Sequence, residues 1–147
     1  MKPSPLLLLF IFLLSFANCK KKDNRNYSYW QVNQDKFSTN DITVEEGKAR
    51  HEINTSNHTN GFQIVFNLGY FPMDGKLVLN DTSSNPSCVG IDIIYNDTGY
   101  LPKPSSSMFL IASANNNKGS YALQPVWFYN SYRIMDSVLV QGVFNEP

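Results

Sequence analysis

Short runs in which every second residue is apolar recur along most of this 147-residue chain, and this alternation constrains the fold more than any other feature. The clearest run places Phe62, Ile64, Phe66 and Leu68 on one side. Because successive side chains of a β-strand point to opposite faces, the alternation predicts strands that bury one side. Further runs occupy residues 29–32, 42–44, 49–53, 77–79, 89–95, 108–112, 121–129 and 138–144. We therefore expect about nine strands.

Residues that favour chain reversals separate these runs. An acidic residue followed by glycine at 46–47 and at 74–75, and the group Asn-Asp-Thr-Gly at 96–99, predict tight turns between neighbouring strands. Pro125 interrupts the run 121–129 and has no amide hydrogen to donate, which predicts an edge strand or a bulge there. The fold class that we predict is all-β, a single antiparallel β-sandwich of about seven to nine strands over residues 27–147.

The N-terminal segment has the layout of an export signal. Eleven largely apolar residues, 6–16, follow a short start with one positive side chain, Lys2. At about 1.5 Å per residue, a helix of this length covers roughly half of the ~30 Å hydrocarbon core of a bilayer, so it is too short to span it. We interpret residues 1–18 as a signal peptide that is removed on export.

Cys19 follows this segment, and its position suggests how the mature protein is held. A bacterial lipoprotein carries a cysteine here, which receives a diacylglycerol on its thiol and a fatty acid such as palmitate on the new amine after cleavage. The chain departs from the usual pattern at Phe16, where leucine is preferred, and at Asn18, where a small residue is preferred. The alternative is ordinary cleavage before Asn18, after the small residues Ser15 and Ala17, which leaves a soluble secreted protein.

The charge distribution bears on location and partners. Residues 19–26 form a polar tether, and Lys20 does not supply the acidic side chain that retains lipoproteins at the inner membrane, so we expect an outer-membrane anchor. From Tyr27 onward, seven basic side chains stand against eleven acidic ones, a net charge of −4. No nucleic-acid partner is expected, because a phosphate backbone selects for a basic surface. The predicted partner is the lipid bilayer, reached through the acylated N-terminus.

The chain carries no clear catalytic or metal-binding pattern. His51 and His58 lack a second ligand at metal-site spacing, so neither a metal nor another cofactor is predicted. The tripeptide Asp-Thr-Gly at 97–99 matches the signature of aspartic proteases, but its neighbours fit a hairpin turn better. If Cys19 is lipidated, Cys88 is left as a free, half-buried thiol.

Aromatic residues supply the remaining functional hint. Trp127, Phe128 and Tyr129 are consecutive, so a strand must point some of them away from the core. Exposed rings stack on sugars or anchor partner proteins, which makes Trp127 and Tyr129 candidate binding residues for a glycan or an envelope protein. The alternative is that these rings belong to the core and to a cross-strand aromatic ladder.

Two other functional classes stay open. A glycan or peptide hydrolase would need two carboxylates about 5 to 9 Å apart, and the candidates are Asp92 with Asp97 or with Glu52. The sequence gives no reason to pair them, and we predict no catalytic residues. A purely structural envelope protein is the third class.

Three stretches resemble a known group of proteins. They are Cys-Lys-Lys-Lys-Asp-Asn at 19–24, Tyr-Trp-Gln-Val-Asn at 29–33 and Asp-Ser-Val-Leu-Val-Gln-Gly-Val-Phe-Asn-Glu at 136–146. With the alternating runs between them, they resemble the small β-sandwich lipoproteins of Bacteroidetes-type bacteria. The resemblance covers nearly the whole chain and implies a lipid anchor and a sandwich, without an established activity to transfer. We expect a membrane-anchored envelope lipoprotein that serves as a non-catalytic binding or interaction module.

Overall fold

The structure, a computed structural model, describes residues 27–55, 57–80, 84–103, 107–133 and 135–147. These residues form eleven strands in a single sheet and no helix, which confirms the all-β prediction. The strands are β1 (Ser28–Val32), β2 (Asp35–Thr39), β3 (Ile42–Glu46), β4 (His51–Thr55), β5 (Asn60–Phe66), β6 (Gly75–Leu79), β7 (Cys88–Tyr95), β8 (Thr98–Pro102), β9 (Phe109–Asn115), β10 (Lys118–Asn130) and β11 (Ser137–Asn145). In this described part of the chain, no helix is long and apolar enough to cross a membrane.

The strand order brings distant parts of the chain together. Neighbours follow the path β2-β1-β11-β10-β9-β6-β7-β5-β4-β3, and β8 pairs with both β10 and β7. Among the described residues every pair is antiparallel except β6 with β7, which are parallel at Val78↔Cys88 and Leu79↔Val89. The expectation of a purely antiparallel arrangement is therefore wrong at this pair, because β7 runs in the same direction as β6 beside it.

The structure contains more strands than the seven to nine that alternation predicts. All nine predicted runs overlap strands, whereas β2 and β8 were not predicted. β2 carries only one apolar residue, Phe37, because it lies at the end of the strand path and pairs on one side with β1. β8 is short and contains Gly99, so its alternation is too brief to stand out.

Two of the predicted turns are confirmed. Asn96 and Asp97 have φ values of 50° and 60°, and they connect β7 directly to its antiparallel partner β8. Positive φ at both central residues matches the right-handed twist of the strands in a hairpin, so the Asp-Thr-Gly tripeptide here begins in a turn. At the other turn, the Gly47 amide donates to the Arg50 carbonyl at 2.8 Å between β3 and β4.

The third predicted turn does not join neighbouring strands. Asp74 and Gly75 lead into β6, the strand that follows β5 in the chain, and these two strands do not pair with each other. β6 pairs with β7 and β9, whereas β5 pairs with β4 and β7. Two tight reversals were not predicted. Asn116 and Asn117, with φ values of 53° and 63°, connect β9 to β10, and Asn33, with a φ of 54°, lies in the turn that connects β1 to β2. Asparagine tolerates the left-handed region without glycine, which explains both missed turns.

Of the two alternatives predicted at Pro125, an edge strand or a bulge, the structure shows the bulge. The pairing between β10 and β11 shifts register between Leu123 and Val126, so the two residues between them have no direct partner on β11. A proline cannot donate to the ladder, and a bulge is the usual way for a long strand to accommodate one.

The core joins two halves of the strand path, which we define as β2-β1-β11-β10-β9-β6 and β7-β5-β4-β3. The ring of Phe62 on β5 packs edge-on against Trp30 of β1 and Phe144 of β11, with centroids 5.3 and 4.7 Å apart. Phe66 on β5 meets Tyr121 of β10 at 4.6 Å. Each fully buried ring of this kind stabilises the fold by about 1.5–3 kcal/mol. Both halves therefore contribute buried side chains to this core.

Candidate binding surface

One outward side of the sheet is unusually apolar. We call the outward-pointing side chains of β2, β1, β11, β10, β9 and β6 the apolar face. Strand register places Tyr29, Val143, Ala122 and Ile111 side by side in a row across four of these strands. Tyr29, Val143 and Ile111 are exposed to 54%, 39% and 37%. Large apolar side chains that share one exposed face are typical of an interaction surface.

The candidate binding residues Trp127 and Tyr129 lie on the same face. Trp127 is 50% exposed and sits opposite Leu139 of β11, four residues along that strand from Val143, which corresponds to roughly 13 Å. Phe128 between them is fully buried, which confirms that the three consecutive aromatic residues divide between core and surface. Tyr129 is partly buried.

The bulge in β10 borders two adjoining hollows in the apolar face. The larger has a volume of about 410 Å³ and the smaller about 370 Å³, and both are lined by Gln124 and Pro125. The larger hollow extends across β1 and β2, and the smaller one reaches Phe109 on β9. Both volumes fall within the range of ligand sites.

Amide side chains and lysines add polar character to the hollows. The Gln141 amide donates to the Gln31 side-chain oxygen at 3.0 Å, and the Gln31 amide donates to the Asn33 carbonyl at 2.6 Å. These bonds orient both amides before any ligand arrives. Lys36 lines the larger hollow, and the Lys76 ammonium in the smaller one lies 5.7 Å from the centre of the Phe109 ring.

The opposite outward side has a different composition. We call the outward-pointing side chains of β3, β4, β5 and β7 the polar face. Register places Thr43, Asn54, Gln63 and Asp92 in one row across it. A cleft of about 260 Å³ on this side is lined by residues that include Arg50, Gln63 and Asp92.

The carboxylates of the hydrolase alternative are not gathered in this cleft. Asp92 lines it, but Glu52 and Asp97 do not. The Glu52 carboxylate accepts from the Gln63 amide at 2.7 Å and pairs with Arg50 at 2.7 Å, so its oxygens are already engaged. Asp97 lies in the turn between β7 and β8. The geometry thus offers no pair of converging carboxylates in this cleft.

Of the described histidines and cysteines, His51 and Cys88 are buried and His58 is exposed. His51 is buried, with Nδ1 3.2 Å from the Leu68 carbonyl oxygen and its ring edge-on to Phe71 at 4.8 Å. His58 is exposed, and the described residues contain no group of three or more side chains that could hold a metal ion. Cys88 is a buried free thiol. Cys19 and the signal peptide lie outside the described residues.

Two tyrosines tie the hairpin of β7 and β8 to other strands. The Tyr95 hydroxyl donates to Asp35 at 2.6 Å, and this hydrogen bond, followed by desolvation, raises the pKa of Tyr95. The Tyr100 hydroxyl donates to Asp136 at 3.1 Å, and burial, followed by this hydrogen bond, raises the pKa of Tyr100. Raised values keep both phenols protonated as donors, so they are suited to holding strands together.

Most of the apolar face was not recognised in the sequence. Trp127, Tyr129 and Tyr29 stand out as aromatic residues, whereas Val143 and Ile111 do not. The sequence does contain one indication of this face. In Phe109–Asn115 and Ser137–Asn145, apolar residues occur at outward positions as well as at inward ones. A strand with one solvent-exposed face usually has polar residues at its outward positions, so these apolar residues are exceptions. Alternation alone does not show that they become neighbours in the sheet.

No protein-family model matches the chain, and no curated protein or solved structure matches it either.

Proposed function

We propose that this protein is a membrane-anchored envelope lipoprotein. A signal peptide of residues 1–18 is removed, Cys19 is acylated, and residues 19–26 tether the folded domain to the outer membrane. Support comes from the short apolar segment, the cysteine that follows it and the lysine-rich tether. Two or more acyl chains, at about 0.8 kcal/mol per buried CH₂, hold a protein of this size stably.

We further propose that the anchored domain is a β-sandwich. Contacts of the β5 rings with β1, β10 and β11 support two halves that face each other across one core. In a sandwich of this kind both outer faces are free to carry function.

The proposed activity is non-catalytic binding of a glycan or an envelope protein through the apolar face. One observation carries it: of the eight exposed large apolar side chains in the described residues, the four that belong to strands all lie on this face. The four are Tyr29, Ile111, Trp127 and Val143. Folding alone gives no reason to leave them in water, because burying such groups is favourable.

The anchor is tested by measuring the intact mass of the detergent-extracted protein. A mature chain that begins at Cys19 and carries the added mass of a diacylglycerol and a fatty acid is expected. A chain that begins at Asn18 without acyl mass would contradict the proposal and support secretion in soluble form.

Binding is tested with wild type, Trp127→Ala and the matched polar-face variant Gln63→Ala. Each is applied to a glycan array and to extracts of the producing cell's envelope. Trp127→Ala should lose the ligand that wild type retains, while Gln63→Ala should keep it. Equal retention by wild type and Trp127→Ala would remove Trp127 from the binding surface, and loss in Gln63→Ala alone would move the site to the polar face.

A further inference from the structure

The two hollows adjoin in the apolar face, and we call them together the depression. Gln124 and Pro125 belong to both, so the depression runs from β2 at one end to β6 at the other. Five strand spacings separate these ends, which at about 4.8 Å each gives roughly 24 Å. An elongated ligand therefore fits this surface better than a small compact one.

Charge at the two ends has a single sign. Lys36 lies at the β2 end and Lys76 at the β6 end, and no acidic side chain lines either hollow. By alternation, the described outward positions of these six strands carry lysines, amides, hydroxyls and apolar groups but no carboxylate. The domain from Tyr27 onward has a net charge of −4, so this cationic surface runs against the overall charge. A surface whose charge is opposite in sign to the net charge of the domain favours an anionic ligand.

The groups between the two lysines are suited to sugar rings. The exposed ring of Tyr29 offers a flat apolar surface for the C–H face of a sugar, and the side chains of Val143 and Ile111 add apolar contact beside it. Gln31 and Gln141 hold their amides in fixed orientations beside this platform, where their remaining donor and acceptor sites are available to hydroxyl groups. Preorganised amides lower the entropy cost of ligand binding.

We infer that the apolar face binds a linear polysaccharide that carries carboxylate groups, a uronic-acid polymer, laid across the strands between Lys36 and Lys76. The inference rests on the proposed binding function and gives it a ligand class. Tyr29 supports one sugar ring, the glutamine amides contact hydroxyls, and the two ammonium groups pair with carboxylates. An acidic protein satisfies the lysines too, but the oriented amides of Gln31 and Gln141 on the strands next to Lys36 favour hydroxyl-rich sugars.

The test uses the full-length protein in detergent and three probes, polygalacturonate, alginate and hyaluronate, with the methyl ester of polygalacturonate as an uncharged control. Affinity is measured by titration calorimetry at low and high salt. Wild type should bind at least one acid polymer, more weakly as salt rises, and bind the ester less tightly. The double variant Lys36→Gln/Lys76→Gln should lose roughly 3- to 30-fold in affinity, as expected for two exposed ion pairs.

A matched double variant, Lys48→Gln/Lys103→Gln, removes two exposed lysines that line neither hollow and should bind like wild type. All of these lysines are exposed, and a thermal melt of each variant checks that the fold is retained. Equal binding of the acid polymer and its ester, or an unchanged affinity in Lys36→Gln/Lys76→Gln, would overturn the inference.

Other outcomes separate this inference from the function it rests on. If none of the three acid polymers binds, but a neutral glycan or an envelope protein binds to wild type and not to Tyr29→Ala, the binding function stands and the acidic polysaccharide is wrong. If no ligand of any class depends on Tyr29 or Trp127, both the inference and the proposed function fail.

Discussion

The apolar and polar faces rest on the same core, yet they present opposite chemistry to solvent. A row across the apolar face reads Tyr29, Val143, Ala122 and Ile111, with no hydrogen-bonding side chain except the tyrosine hydroxyl. The corresponding row across the polar face reads Thr43, Asn54, Gln63 and Asp92. Both rows point away from buried aromatic rings, so packing does not require the difference between them.

This comparison shows how one alternating pattern can meet two requirements. Inward positions must be apolar wherever a strand covers the core, and both halves satisfy this. Outward positions are free of that constraint. On the polar face they follow the ordinary rule for solvent-exposed strands, and on the apolar face they depart from it. The departure is what the proposed binding function requires of this face.

Replacing the core ring that both faces share should have the largest effect. Phe62→Ala removes the contacts with Trp30 and Phe144 and leaves a cavity between the two halves. The free energy of unfolding should fall by about 3–5 kcal/mol, measured by urea denaturation. Tyr132→Ala, at a position 94% exposed, should change it little. A loss below about 1 kcal/mol for Phe62→Ala would mean that the halves do not depend on each other.

A methyl group added at Gly142 should disturb the pairing of β1 with β11, the two strands that carry Tyr29 and Val143 of the apolar face. Its Cβ would lie 2.7 Å from the Tyr29 carbonyl oxygen and 2.9 Å from the Trp30 Cβ, so β1 and β11 would have to separate. Gly142→Ala should lower the free energy of unfolding by about 1–3 kcal/mol and weaken ligand binding.

The matched control is Gly99→Ala on β8, where a Cβ would meet nothing within 4 Å. It should leave stability within about 1 kcal/mol of wild type, or raise it slightly by restricting the unfolded chain. If both variants lose the same stability, the close approach of β1 and β11 is not what distinguishes the apolar face.

Alkaline pH should reveal a phenol buried beneath the apolar face. Tyr121 on β10 is fully buried, its hydroxyl has no hydrogen-bond partner, and burial, followed by the charge of Glu146, raises its pKa. Because the folded pKa lies above the unfolded value near 10, its contribution to stability is present below pH 10 and is lost as the pH rises further.

Tyr121→Phe should therefore reduce the loss of stability above pH 10 by up to about 1.4 kcal/mol per pH unit. At pH 7 it should be within about 1 kcal/mol of wild type or slightly more stable, because an unpaired buried hydroxyl is removed. Denaturant melts between pH 7 and 11 measure both quantities. Identical pH profiles for the variant and wild type would show that this hydroxyl reaches water.

The smallest stability effects are expected from the surface rows themselves. Tyr29→Thr and Gln63→Thr each replace one member of a row with a residue that suits strands, and each should change the free energy of unfolding by about 1 kcal/mol or less. Only Tyr29→Thr should abolish ligand retention in the binding assay. If Gln63→Thr abolishes it instead, the assignment of function to the apolar face is wrong.

The sequence alone determined the fold class and most of the strands. Alternation marks nine of the eleven strands because a half-buried strand must place apolar residues at every second position. It also located the bulge at Pro125 and the turn at Asn96 and Asp97, since both follow from backbone properties of the residues concerned. The run of three aromatic residues required some of Trp127, Phe128 and Tyr129 to point away from the core, and the structure shows that Trp127 does so.

Tertiary structure alone decided which strands are neighbours, and hence which residues make up the proposed binding surface. Tyr29 and Val143 lie 114 positions apart in the chain, and they meet because β1 pairs with β11. Alternation shows which side of a strand faces the core, but strand order and register depend on contacts between distant segments. Lys36 and Lys76 therefore have no visible relation in the sequence. They become the two ends of one depression only when β11, β10 and β9 are placed between β1 and β6.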